Sequence, residues 1–175
     1  LVGPKKQFLG CTRLLALILE KTSIERLRLS SVQPQEFTPN LLDLWDNPRL
    51  CPHFHIPLQS ASPAVLAKMR RRYSPDLFSA KVQEIQDRYP EAAITTDVIV
   101  GFPGETSEDF LDTNKFLNQL DVSYLHVFSY SERENTKAIK MDGVVPKWER
   151  TERSKNLHQL SDKKRRSFYK EFAQL

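Results

Sequence analysis

Cysteine is nearly absent. The chain has two, Cys11 and Cys51, lying 40 residues apart. That excludes a disulfide framework and a Cys-x-x-Cys pair, points to a reducing cytoplasm, and leaves buried apolar filler as the default role of both thiols. Long hydrophobic runs are absent as well. The most apolar stretch, LLALILE from Leu14, falls far short of the ~20 residues of a membrane span. Nothing has the form of a signal peptide, so no membrane partner is expected. There is no Walker loop, nucleophile elbow or metalloprotease helix, which excludes the chemistry those motifs carry. An initiating Met is lacking too. The chain starts at Leu1 and stops at Leu175 within a helical pattern, so a piece of a longer protein is expected.

What is present suits one globular domain: 175 residues, 39% hydrophobic and 27% charged, enough for a core. The net charge of +4 is unevenly placed. Between Lys147 and Glu171 nine basic residues face four acids, so this tail alone exceeds the whole excess. A second cluster, KMRRRY, holds Lys68, Arg70, Arg71 and Arg72. Concentrated positive charge favours an anionic partner such as RNA; the alternative is a solvated helix face.

Four segments have strand composition: Arg26–Ser31, His53–Ser60, Ala93–Gly101 and Tyr124–Ser131. Helical patterns lie between and around them. CTRLLALILEK precedes the first, and Val65, Leu66, Met69, Leu77, Val82 and Ile85 mark one long stretch. Phe110, Leu111, Phe116, Leu117 and Leu120 mark another. Residues from Lys147 to Phe172 form one long basic helix or two shorter ones, with Leu157, Leu160, Phe168 and Phe172 on one face. Strands alternating with helices predict α/β architecture with a parallel sheet and right-handed crossovers, either an open doubly wound sheet or a partial (β/α) barrel. A complete barrel needs ~250 residues. Both architectures bind ligands at the carboxyl ends of strands. The candidate sites are therefore Ser30–Ser31, Gln59–Ser62, Gly101–Glu105 and Ser129–Arg133.

The turn in TTDVIVGFPGET carries Gly101 and Gly104, which suit a tight βα turn. Glu105, Glu108 and Asp109 crowd it, with no Lys or Arg nearby in sequence. Such a turn repels phosphate and suits a neutral or cationic group, or no ligand, while Thr106 or Ser107 caps the next helix. Asp97 interrupts an apolar strand and needs a partner, such as a ribose diol or an amino group. In HFHIPLQS, His53, His55, Pro57 and Gln59 alternate with apolar residues, so one face is polar. Two histidines without a third ligand read as hydrogen-bonded side chains rather than a metal site.

Four blocks, RLRLSSVQP, HFHIPLQSASPAVLAKMRRRYS, TTDVIVGFPGETSEDF and YLHVFSYSERENTKA, resemble in order those of the radical S-adenosylmethionine methylthiotransferases. The wording HIPLQS…MRRRY and YLHVFSYSER resembles the subgroup that modifies threonylcarbamoyladenosine beside the anticodon of tRNA. The resemblance implies that residues 1–146 form the C-terminal part of a six-unit radical SAM barrel. Residues 147–175 then form a basic helical extension leading towards an RNA-binding domain. It implies S-adenosylmethionine as cosubstrate, tRNA as substrate, and two 4Fe–4S clusters in the parent protein, one of which generates a 5′-deoxyadenosyl radical. It also implies roles for particular residues. Gln59, Ser60 and Ser62 contact the ribose or methionyl end, and Arg71 takes the methionyl carboxylate. Asp97 faces the ribose, Ile99 packs on adenine beside Gly101, and Phe128 and Ser129 line the adenine edge. Arg70, Arg72, Lys163, Lys164, Arg165 and Arg166 face solvent or RNA.

The departures matter. The Cys-x-x-x-Cys-x-x-Cys motif that holds the radical cluster is absent, so the chain alone is expected to be inactive. Ser60-Ala61-Ser62 stands for the family's Ser-Gly-Ser and Glu134-Asn135-Thr136-Lys137 for Pro-Gly-Thr-Pro; against the family's Gly-x-Ile-x-Gly-x-x-Glu strand, Asp97 replaces the first Gly and Glu105 falls one residue late. Two other functions remain open: a related methylthiotransferase acting on a ribosomal protein, and a non-catalytic βα module that binds RNA. A half barrel also leaves sheet edges unpaired, which predicts self-association.

Overall fold

The structure, a computed structural model, describes residues 10–172. Three parallel strands form one sheet in the order β1 (His53–His55), β2 (Ala93–Val100), β3 (Tyr124–Ser129). Six α-helices accompany them: α1 (Cys11–Lys21), α2 (Pro39–Leu42), α3 (Pro63–Lys68), α4 (Pro75–Arg88), α5 (Ser107–Gln119) and α6 (Lys147–Phe172). Alternation along β2 separates two faces. Ile94, Thr96, Val98 and Val100 are buried, while Ala93, Asp97 and Ile99 are partly open. The buried face packs against helices and an aromatic cluster in which Phe54 stacks on Trp45 at 4.5 Å and lies 6.0 Å from Phe37. No described helix is long and apolar enough to cross a membrane.

Several expectations change. The segment Arg26–Ser31 is not a strand. Only Leu27 pairs, in a single parallel bridge with Leu50. It runs at the sheet margin, where alternate arginines face solvent and, among the described residues, no further strand lies beside it to complete a ladder. The second predicted strand stops at His55, because Pro57 has no N–H to contribute to a ladder; Gln59 then re-pairs alone with Val98. The long helical pattern after it breaks into α3 and α4. Arg70 has φ +57°, and Ser74 caps the helix that opens at Pro75. Cys11 is exposed at the start of α1 rather than buried, and Cys51 is half-buried.

The basic C-terminal segment is one helix, and it packs on the sheet. Leu157 and Leu160 are buried there. Between them and the strand, Ser161 Oγ accepts from the Leu125 amide at 2.9 Å and donates to the Leu125 carbonyl at 2.8 Å. The hydroxyl thus satisfies both outward backbone groups of β3 at that position. At the opposite margin, the Val32 amide donates to His55 O at 3.1 Å. Both sheet edges are partly covered by the chain's own groups, which weakens them as templates for another strand.

Candidate functional site

The corner after β1 is held by its own hydrogen bonds. Gln59 adopts φ +67°, and its amide donates to Asp97 O while its carbonyl accepts from the Ile99 amide. Its backbone thus continues the sheet past Pro57. Ser60 and Ser62 are buried, at 2% and 3% exposure. Ser60 Oγ lies 3.3 Å from Thr113 Oγ1 and accepts from the Ser62 amide. Ser62 Oγ caps α3 and donates to Asp109 Oδ1. Both hydroxyls therefore bind α3 and α5 to the corner and present no free group to a ligand. Of the three corner candidates, Gln59 alone has a side chain without such internal bonds.

The glycine turn is a clamp. Gly101 and Gly104 have φ +74° and +79°, and a Cβ at Gly101 would collide with the Arg150 side chain. Glu105 Oε2 accepts from the Gly101 amide at 3.1 Å, and Glu105 Oε1 pairs with Arg153 Nη1. Both side chains are about 95% buried, at 4% and 5% exposure. Arg153 also pairs with Glu149. Burial pushes the Glu105 carboxyl up, against the pull of the Gly101 amide and Arg153. The expectation of no cation near this turn is corrected, because the cations arrive from distant sequence. Arg150 and Arg153 come from α6, and Lys68 Nζ donates to Gly104 O at 2.7 Å. The cationic group this turn suits is part of the chain. Thr106 and Asp109 form a reciprocal cap at the start of α5.

The open face of the sheet differs. In register, His55 lies opposite Thr95, Asp97 opposite His126 and Ile99 opposite Phe128. Asp97 finds the partner it needs within the chain: His55 Nε2 lies 3.0 Å from Asp97 Oδ2. His55 Nδ1 is 2.9 Å from Thr95 Oγ1, which is 3.4 Å from His53 Nε2. The Arg28 guanidinium covers the His53 ring nitrogens at 3.1 and 3.3 Å. Burial, then the Arg28 charge, push His53 down to about 4. Burial and the neighbouring His55 push His126 down as well. A hollow of about 420 Å³ borders His55, His126, Arg28, Ser30 and Ser31. Beyond Asp97, at the carboxyl ends of β2 and β3, a second hollow of about 360 Å³ is lined by Ile99, Phe102, Phe128, Ser129, Tyr130 and neighbours.

Among the described residues, two buried side-chain polar atoms lack a hydrogen-bond partner. One is the Tyr130 hydroxyl and the other is Arg71 Nε. Tyr73, whose phenol donates to Leu58 O at 3.1 Å, is pushed up to about 12 by burial, opposed by Arg71 and aided by Asp97. Arg71 and Asp97 both act on the Tyr73 phenol. The structure brings Ile99, Phe128 and Ser129 around one hollow, with Asp97 on the wall beside it. Sequence reasoning named Tyr130 only within the range Ser129–Arg133 and missed Tyr73 and His126; the spacing of His126 two residues before Phe128 was the available signal. Among the described residues, no group of three or more His, Cys, Asp or Glu side chains could hold a metal.

The basic residues also divide. Arg150 and Arg153 are buried. Lys164 Nζ donates to Leu120 O at 2.6 Å and burial pushes its ammonium down, while Arg165 pairs with Asp162 at 2.9 Å. Lys163, Arg166, Arg70 and Arg72 are exposed.

Three parallel strands accompanied by helices, with an apolar hollow at the carboxyl ends of β2 and β3, define a βα domain of the partial-barrel type. The chain belongs to the radical SAM superfamily, whose family model matches residues 11–117. It is 41% identical over 157 residues to the threonylcarbamoyladenosine tRNA methylthiotransferase MtaB of Aquifex aeolicus, covering 89% of this chain and 38% of that protein. It is 39% identical over 153 residues to the tRNA-2-methylthio-N(6)-dimethylallyladenosine synthase of Thermobifida fusca, covering 87% of this chain and 31% of that protein. The chain thus spans less than two-fifths of the length of either relative. Coproporphyrinogen III oxidase HemN of Escherichia coli shares the fold, with a TM-score of 0.65 at 18% identity over 85% of this chain and 34% of that one.

Proposed function

We propose that this chain forms the C-terminal part of the catalytic barrel of a tRNA methylthiotransferase that acts on threonylcarbamoyladenosine beside the anticodon. The observation that carries this is the open rim at the carboxyl ends of β2 and β3. Asp97, with one oxygen unbonded, stands two residues before Ile99, which lines an apolar hollow, and Arg71 Nε is buried without a partner. Those groups fit S-adenosylmethionine. Arg71 receives its carboxylate, Asp97 accepts from its ribose hydroxyls, and Ile99 and Phe128 flank its adenine, with Ser129 at the edge. The bound cosubstrate supplies the radical chemistry. This chain's residues bind it, orient it and keep water from its adenine. The cluster ligands belong to a part of the parent protein outside this sequence. Arg70, Arg72, Lys163 and Arg166, with Lys164 and Arg165 beside them, offer a basic surface to tRNA.

The parent gene should encode Cys-x-x-x-Cys-x-x-Cys upstream of Leu1, and finding none removes the enzyme reading. Nucleosides of tRNA from a deletion strain decide the substrate. Loss of methylthio-threonylcarbamoyladenosine is the expected result. Loss of the dimethylallyl product instead transfers the assignment to the activity named for the Thermobifida relative.

A further inference from the structure

Bulky apolar residues ordinarily fill the interior layers of βα barrels. Here the layer beneath Ile99 and Phe128 is polar, made of His55, Asp97 and His126, and it is continuous with His53 and Thr95 below. Burying such groups is unfavourable unless each is partnered, and they are partnered in sequence. Arg28 contacts His53, His53 contacts Thr95, Thr95 contacts His55, and His55 contacts Asp97, at 2.9 to 3.4 Å.

The chain of contacts has one direction. A guanidinium only donates and a carboxylate only accepts. The Asp97 end fixes the direction: His55 presents an N–H at Nε2, and its Nδ1 accepts from the Thr95 hydroxyl. Thr95 is fully buried and holds the ring in this orientation through Nδ1. Asp97 Oδ2 is therefore occupied. Among the described residues no donor reaches its other oxygen, and the side chain remains 20% exposed.

We propose that His55 is a positioning residue for nucleoside binding: held by Thr95, it fixes the Asp97 carboxylate so that the free oxygen accepts from a sugar hydroxyl of the ligand. This rests on the proposed function, in that the ligand is an adenosine derivative. The groups facing the dyad are Arg28, His53 and Thr95 below, His126 across on β3, and Tyr73 and Arg71 behind. His126 and Arg71 make no hydrogen bond to Asp97 that would fix it instead.

The test is calorimetric titration of the full-length protein with S-adenosylhomocysteine and with its 2′,3′-dideoxy analogue. Wild type should bind the hydroxylated ligand about ten-fold or more tightly, the scale of a hydroxyl bonded to a carboxylate. His55→Ala and the near-isosteric Thr95→Val should bring that ratio towards one while leaving affinity for the dideoxy analogue unchanged. Loss of packing alone would weaken both ligands together and preserve the ratio, and that result overturns the inference. Thr95→Val carries the test if His55→Ala fails to fold. A wild-type ratio near one overturns the inference while the proposed function stands. Failure of wild type to bind either ligand removes both.

Discussion

Asp97 and Glu105 stand eight residues apart on one strand and its turn, and the fold uses them in opposite ways. Glu105 is closed. Its oxygens are taken by Arg153 and the Gly101 amide, and its side chain is 4% exposed. Asp97 is half open, with one oxygen held by His55 and the side chain 20% exposed. A carboxylate whose bonds are all internal fixes the backbone. One with a bond left over can bind something. Both side chains end in a carboxylate, so the distinction lies in what the distant elements bring. The long helix α6 carries Arg153 to Glu105, whereas strand β1 carries only one imidazole nitrogen to Asp97.

Breaking the closed pair should have the largest effect. Arg153→Ala leaves a buried carboxylate facing no cation and should lower stability by about 3–5 kcal/mol, read as the urea unfolding midpoint. Asp97→Asn should change that midpoint little and should weaken nucleoside binding instead. If the two substitutions exchange effects, the contrast between the acids is wrong. The pH dependence follows from the direction at Glu105. Its folded carboxyl lies above its ordinary value of 4.5 because burial disfavours the charge. The folded state then holds the proton more tightly than the unfolded one. Its contribution is fully present below pH 4.5 and is lost as pH rises through the higher folded value. Glu105→Gln should flatten that part of the stability profile.

Gly101→Ala tests the same clamp from the backbone. A left-handed conformation at Ala costs about 1–2 kcal/mol, and the added Cβ must also displace Arg150. The combined loss should appear as a lowered thermal midpoint. Ser161→Ala removes the hydroxyl from the Leu125 backbone. The cost should be about 1–3 kcal/mol, since a buried amide loses its acceptor. The same variant should associate more readily in sedimentation, because it uncovers the β3 edge. An unchanged monomer would show that Ser161 does not guard that edge.

The contrast also explains what was legible in the sequence. The βα alternation was readable from local pattern, which also narrowed the cap to Thr106 or Ser107 and the basic segment to one long helix or two. The break after Lys68 was less so: Arg70 sits at positive φ where a glycine would have announced the turn. The rim residues Ile99, Phe128 and Ser129 do meet at one hollow. Ser60 and Ser62 looked like equal candidates, yet Thr113 and Asp109 take their hydroxyls from 47 to 53 residues away. No spacing rule reveals that. Nor did local sequence show that three cations from α3 and α6 close on an acidic turn.

The smallest predicted effect concerns the basic helix and sharpens the same distinction between closed and open groups. Arg150 and Arg153 hold the turn, and Lys164 is bonded to Leu120 O. Lys163 and Arg166 are exposed with no ion pair among the described residues. If tRNA phosphates meet this surface, Lys163→Ala and Arg166→Ala should each reduce the slope of log affinity against log salt by about 1 while leaving stability unchanged. Lys164→Ala should behave differently, lowering stability with a smaller change in slope, because burial already disfavours its charge. Equal slopes for all three variants would mean that the helix meets RNA through its whole face rather than through the side chains the fold leaves free.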